Sequence, residues 1–224
     1  MTTRTQSVTA QPRERLYLQL YIATTLAIFV LMMLAGVVMR AVQGTYIHMS
    51  PDWFYQIMTL HGAGMVGIAG LAGVSIMWYF LRRYVSLTPG LFLANLILFI
   101  IGVVMILGAI LLGKFGGGWT FLYPLPAKSM GLWSHNAAAA YVGGLLVIGI
   151  GFLLFYLDVA RALLAKYGSL GRALGVNQLI SGRIDTDHPP TVVASTMVLI
   201  VNTIGTLAGA VILEIRRASC RERV

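Results

Sequence analysis

Charge is scarce in this chain. Of 224 residues only 10% are Asp, Glu, Lys or Arg, against 58% apolar, where a soluble domain has about 25% charged residues. A water-soluble globule is excluded. Cysteine is scarcer still, because Cys220 stands alone. That excludes an internal disulfide and a Cys-rich zinc or iron-sulfur site, so a metal would be held mainly by one of the four His or by a cofactor. Acidic residues are outnumbered by 16 Lys and Arg to 7 Asp and Glu. The basic residues are scattered between long uncharged stretches, a pattern that orients a membrane protein and does not point to nucleic acid.

Five stretches contain no charged residue and are long enough to cross about 30 Å of hydrocarbon, which takes about 20 residues of helix. They run from Leu16 to Met39, Trp53 to Leu81, Leu91 to Gly113, His135 to Leu157 and Thr191 to Leu213. In lipid the backbone must satisfy its own hydrogen bonds, so runs of this kind predict helices, and the fold class is an all-α polytopic transmembrane bundle. The first run is too long for a signal-peptide core and is expected to stay in the mature protein.

Alternate segments carry Arg4, Arg13 and Arg15, then Arg82 and Arg83, then Arg161, Lys166, Arg172 and Arg183, while the intervening loops carry Arg40, Lys114 and Lys128. By the positive-inside rule the N-terminus is cytoplasmic and the chain lies in the cell membrane. Residues 1–15 read as a disordered terminus, and the polar segment from Asp158 to Pro190 as an interfacial loop. Asp158 and Glu214 read as helix ends. The tail 214–224 is basic where the alternation expects few cations. Its abrupt composition favours residues foreign to the native protein, after an early stop, over a genuine basic end.

His61 is the one ionisable side chain well inside a span, about 12 Å below the outer end of the second run. An intramembrane His requires a partner and marks a functional site. In the surrounding HGAGMVGIAGLAG, Gly62, Gly64, Gly67, Gly70 and Gly73 remove side-chain bulk. Small residues admit a neighbouring helix, with His61 in an interhelical hydrogen bond or proton relay. They equally admit a porphyrin face with the imidazole on its iron. His48, His135 and His188 read as interfacial, none at the depth of His61. The outer loop GKFGGGWTFLYPLPAKS combines glycines, prolines and aromatics. It reads either as an aromatic belt at the membrane surface or as a lid. Tyr79, Asn95, Tyr141, Asn202 and Thr203 read as interhelical hydrogen-bonding groups or parts of proton paths, and the eleven Met as packing.

The run MTLHGAGM at Met58 to Met65, followed after further helix by GGGWTFLYPLP, resembles haem-copper oxidase subunit I, the core of cytochrome c oxidase. The likeness covers about residues 14–213, the first five of the family's usual dozen helices. The resemblance implies that His61 is one axial ligand of a low-spin haem. It also implies that Trp119 and Tyr123 belong to a loop covering the haem from outside, and that Arg40 contacts a peripheral group of the haem. A second haem and copper, an electron-accepting subunit II, a cytochrome c or similar donor, and oxygen reduction coupled to proton transport are implied for the full-length parent. Two departures stand out: an extra residue lies between Thr120 and Tyr123, and no acidic residue lies between Arg82 and Pro89, where many members begin a proton path. The alternatives are the large subunit of a nitric oxide reductase and a cofactor-free transporter or structural membrane subunit.

Overall fold

A computed structural model describes residues 12–118, 128–182 and 189–221, with side chains up to residue 213. Among these residues there is helix and no strand. The order is α1 (Pro12–Gln43), α2 (Pro51–Leu81), α3 (Pro89–Leu107), a π-helical turn (Gly108–Leu112), α4 (His135–Tyr167), the short α5 (Leu170–Ala173) and α6 (Val176–Ser181), and α7 (Pro190–Arg221). Five of these helices, α3 counted with its π turn, are long and apolar enough to cross a membrane. The protein is an all-α polytopic bundle.

Proline marks the beginnings. Pro51, Pro89 and Pro190 each open a helix, where the absent N–H would have had no intrahelical acceptor. Ser134 caps α4, accepting the Ala137 amide at 3.2 Å. Gly168 closes α4 in the left-handed region at φ 76°, a conformation that costs a residue with Cβ.

Two helix pairs form the frame: α1 packs along α2, and α3 packs along α4. Glycines permit the second approach, since a Cβ on Gly102 would come 2.5 Å from the Gly144 carbonyl and one on Gly144 would come 2.8 Å from the Gly102 carbonyl. α7 leans on α4, where Asn202 donates to the Tyr156 hydroxyl at 3.0 Å. At one end of the bundle Phe92 is sandwiched between Tyr21, 4.1 Å away, and Trp78, 4.4 Å away. The Tyr21 hydroxyl sits 2.6 Å from Asn95 Oδ1 and 2.7 Å from the Phe92 carbonyl. Arg82 lies over Trp78 and pairs with Glu14 at 2.7 Å. At the other end Phe115 stacks on Tyr141 at 4.4 Å.

Several boundaries differ from the sequence reading. α1 begins at Pro12, so residues 12–15 form its first turn, and Glu14 is ion-paired. Asp158 does not end a helix. α4 runs nine residues beyond it, and Asp158 is only 3% exposed, because the carboxylate has partners that a sequence cannot display: Thr88 from the α2–α3 turn and Arg161 one turn on. The expected interfacial loop is therefore partly helix, with α5 and α6 following. Asn95 and Asn202 serve interhelical hydrogen bonds, whereas Tyr79 accepts locally from Arg83, just past the end of α2. α7 extends by its backbone to Arg221; the side chain of Glu214 lies outside the described residues.

Candidate functional site

His61 faces α1. Its Nδ1 lies 2.8 Å from the carbonyl oxygen of Met32. A carbonyl only accepts, so Nδ1 carries the ring proton and Nε2 is left with its lone pair. This is the arrangement in which a metal-ligating histidine is held, one nitrogen fixed by a backbone acceptor and the other available.

The space for the ring comes from α1. A Cβ on Gly36 would stand 3.0 Å from His61 Cε1, so this glycine sets how closely the imidazole approaches the helix. Gly36 belongs to a stripe, Met33, Gly36, Val37 and Arg40, at the i, i+3, i+4, i+7 spacing of one helix face. With Met39, Gln43 and His61 the stripe lines a cleft of about 540 Å³. Arg40 sits in the last turn of α1, exposed, and donates to Gln43 Oε1 at 3.1 Å. One guanidinium and one imidazole thus share a cleft whose remaining walls are mainly apolar, suited to a flat apolar body with an anionic or carbonyl edge.

The glycines of α2 do something other than their sequence suggests. A Cβ on Gly64 would overlap the Met32 side chain, one on Gly67 would lie 3.5 Å from Phe99, and one on Gly70 would lie 2.9 Å from Phe152. They admit side chains of α1, α3 and α4 and do not line the His61 cleft. The glycine that matters to the imidazole is Gly36. Its signal was its place four residues before Arg40.

The loop between the π turn and α4 is anchored to α2 near the site. Thr59 is fully buried, donates to the Tyr55 carbonyl at 2.7 Å and accepts the Gly118 amide at 3.0 Å. Gly118 takes φ +77°, a conformation that favours glycine. The expected loop residues Trp119, Thr120, Tyr123 and Pro124 lie outside the described residues, as does His188. His48 and His135 are exposed, and among the described residues no three His, Cys, Asp or Glu side chains group as a metal site. A haem iron can take a single protein imidazole on one face, so one histidine placed as His61 is fits that chemistry.

A multi-pass helical membrane protein with one imidazole presented in an intramembrane cleft is the class that these features define. The model of the family described as cytochrome c and quinol oxidase polypeptide I matches residues 17–219, and the chain belongs to that family. Membership places it among terminal oxidase polypeptides of respiratory electron transport. Neither the curated proteins nor the solved structures yield a match.

Proposed function

We propose that this chain supplies, through His61, one axial ligand of the low-spin haem of a respiratory terminal oxidase. The observation that carries the reading is the His61 Nδ1 contact with the Met32 carbonyl at 2.8 Å. It fixes the tautomer and leaves on Nε2 the lone pair that iron would take. A backbone acceptor on Nδ1 raises the basicity of Nε2 and would hold the imidazole for iron.

Four residues of this chain would hold the group. His61 would ligate iron, and Arg40, oriented by Gln43, would meet a polar substituent at the porphyrin edge. Trp119 and Tyr123 would cover the outer side as part of the loop that Thr59 tethers at Gly118. The remaining wall of α1, Met33, Gly36 and Val37, is apolar and would suit the face of the macrocycle. When bound, the haem supplies one-electron chemistry whose potential responds to axial ligation and to nearby hydrogen bonds. The cleft would supply one nitrogen ligand, from His61.

Residues 16–213 would form the N-terminal part of the oxidase polypeptide, with the α2–α3 turn and the N-terminus cytoplasmic; the family match itself runs on to residue 219. The donor would be a cytochrome c or a quinol, the acceptor oxygen, and the partners an electron-accepting subunit II and the lipid bilayer. A second haem and copper would complete the oxygen-reducing site in the full-length parent. The family description supports oxygen over nitric oxide as the acceptor, and an oxidase over a cofactor-free transporter.

The test replaces His61 with Ala in the membrane-assembled protein. Loss of the low-spin haem absorbance, with the polypeptide still inserted, is the expected result. An unchanged spectrum overturns the assignment.

A further inference from the structure

The α2–α3 end of the molecule is rimmed with cations. Arg161 reaches the Ser86 carbonyl at 3.1 Å and pairs with Asp158 at 2.8 Å. Lys166 donates to the Tyr84 carbonyl at 2.6 Å, so both side chains from the end of α4 grasp the same turn. The Arg172 guanidinium lies against Gly168, 3.4 Å from where a Cβ would stand, two residues beyond Lys166. Arg83 folds back along α2, 5.0 Å from the Tyr79 ring and 5.6 Å from the Phe80 ring, and donates to the Tyr79 hydroxyl at 3.1 Å.

Among the described residues, the two carboxylates at this end are already engaged. Glu14 pairs with Arg82, and Asp158 serves Thr88 and Arg161. Among the described residues Arg83, Lys166 and Arg172 have no carboxylate in ion-pair reach. Within the described part of the chain they form a positive rim without carboxylate partners.

The surroundings identify what would neutralise it. Tyr79 and Phe80 are exposed on the last turns of a membrane-length helix, so Arg83 rests where hydrocarbon gives way to lipid headgroups. On α6, Leu179 and Ile180 are 83% and 80% exposed, side by side on a segment just beyond Arg172. Cations over apolar and aromatic groups at a helix end match the phosphate and acyl shoulder of an anionic lipid. An acidic protein would meet the charge but would leave the apolar groups uncovered.

We propose that this rim binds anionic phospholipid, with Arg83, Lys166 and Arg172 meeting phosphate and with Leu179 and Ile180 entering the acyl boundary. The site is separate from the His61 cleft, and its failure would leave the haem reading untouched.

The experiment reconstitutes the full chain into phosphatidylcholine vesicles doped with spin-labelled phosphatidylglycerol or, in parallel, spin-labelled phosphatidylcholine. The measurement is the motionally restricted fraction of each label. Phosphatidylglycerol should be enriched at the protein, and the enrichment should fall as salt is raised, because surface charge is screened. The triple variant R83Q/K166Q/R172Q should lose up to about fivefold of the preference per cation removed. The double variant K114Q/K128Q, at the opposite end, should retain it. Equal restriction of the two lipids by the unsubstituted protein overturns the proposal, as does an enrichment insensitive to salt or to the triple variant. Retention of a polyglutamate peptide with no lipid preference would assign the rim to an acidic protein instead. Should the triple variant fail to insert, the salt dependence of the unsubstituted protein decides.

Discussion

The carboxylate of Asp158 caps a helix to which it does not belong. Its Oδ2 accepts the Thr88 amide at 2.7 Å and its Oδ1 the Thr88 hydroxyl at 2.8 Å, at the residue preceding α3. Thr88 makes no side-chain cap of its own, so α4 supplies from outside what a capping residue would supply locally. Arg161 then donates to the same carboxylate at 2.8 Å and 3.0 Å.

Removing that carboxylate takes an acceptor from the Thr88 amide and hydroxyl and from the Arg161 guanidinium. Asp158→Ala should lower stability by about 1–3 kcal/mol, measured as resistance to unfolding when SDS is titrated into mixed micelles. A change smaller than the scatter between preparations would show that the cap is dispensable.

Tyr21 separates two contributions at one position. Tyr21→Phe loses only the hydroxyl, and interhelical hydrogen bonds in membranes average about 0.6 kcal/mol. Tyr21→Ala also loses the stack on Phe92, and deleting a buried aromatic costs about 3–5 kcal/mol. The same titration should rank alanine far below phenylalanine; equal losses would mean that the hydroxyl dominates.

Gly36 tests the cleft directly. A methyl group 3.0 Å from His61 Cε1 is tighter than ordinary contact, so Gly36→Ala should displace the imidazole and shift the low-spin haem band without removing the haem. Gly73→Ala, on α2 with nothing within 4 Å of the new Cβ, should leave the spectrum in place. Identical spectra for both variants would detach Gly36 from the site.

Between α3 and α4 the expectation is steric. Gly144→Ala would bring its Cβ to 2.8 Å from the Gly102 carbonyl and 2.9 Å from Ile106, and overpacking of this kind costs about 1–3 kcal/mol. Gly90→Ala, on α3 with open space around it, should be tolerated. Unfolding curves of the two variants make the comparison.

The loop tether has its own readout. Thr59→Val keeps the shape but leaves the Gly118 amide without its acceptor, a net loss of about 0.5–1.5 kcal/mol. Hydrogen exchange at Gly118 should quicken by up to roughly tenfold. Unaltered protection would mean that something else holds the loop.

The spanning helices were legible because membrane insertion is decided by local composition: uninterrupted apolar runs become helices whatever surrounds them. His61 was legible for the same reason, as the ionisable group inside such a run. Asp158 was not. A charged residue after an apolar stretch signals a helix end unless its partner is known, and Thr88 stands 70 residues away in sequence. The glycines of α2 were visible as a cluster, yet which neighbour each one admits depends on helix packing, and the glycine beside the imidazole lies on α1. Thr59 was overlooked because a single Thr in a helix carries no periodic signal, whereas its acceptor role depends on a loop 59 residues on. Trp119 and Tyr123 rest on the motif alone.

The π turn at Gly108–Leu112 closes with the Gly113 amide on the Gly108 carbonyl at 3.1 Å, and the Phe115 amide then reaches the Ala109 carbonyl at 3.0 Å. A wider turn absorbs one more residue than an α-helix would, and each residue of regular helix advances the azimuth by about 100°. The aim of Phe115 toward Tyr141 is therefore not what counting from Pro89 would give. Deleting one amino acid from Gly108–Leu112 would restore uniform winding and, in the same act, swing the entrance to the outer loop off its aromatic seat. Insertion and deletion at this spot work as a rotary adjustment, able to re-aim the loop while the membrane-buried part of α3 stays in place.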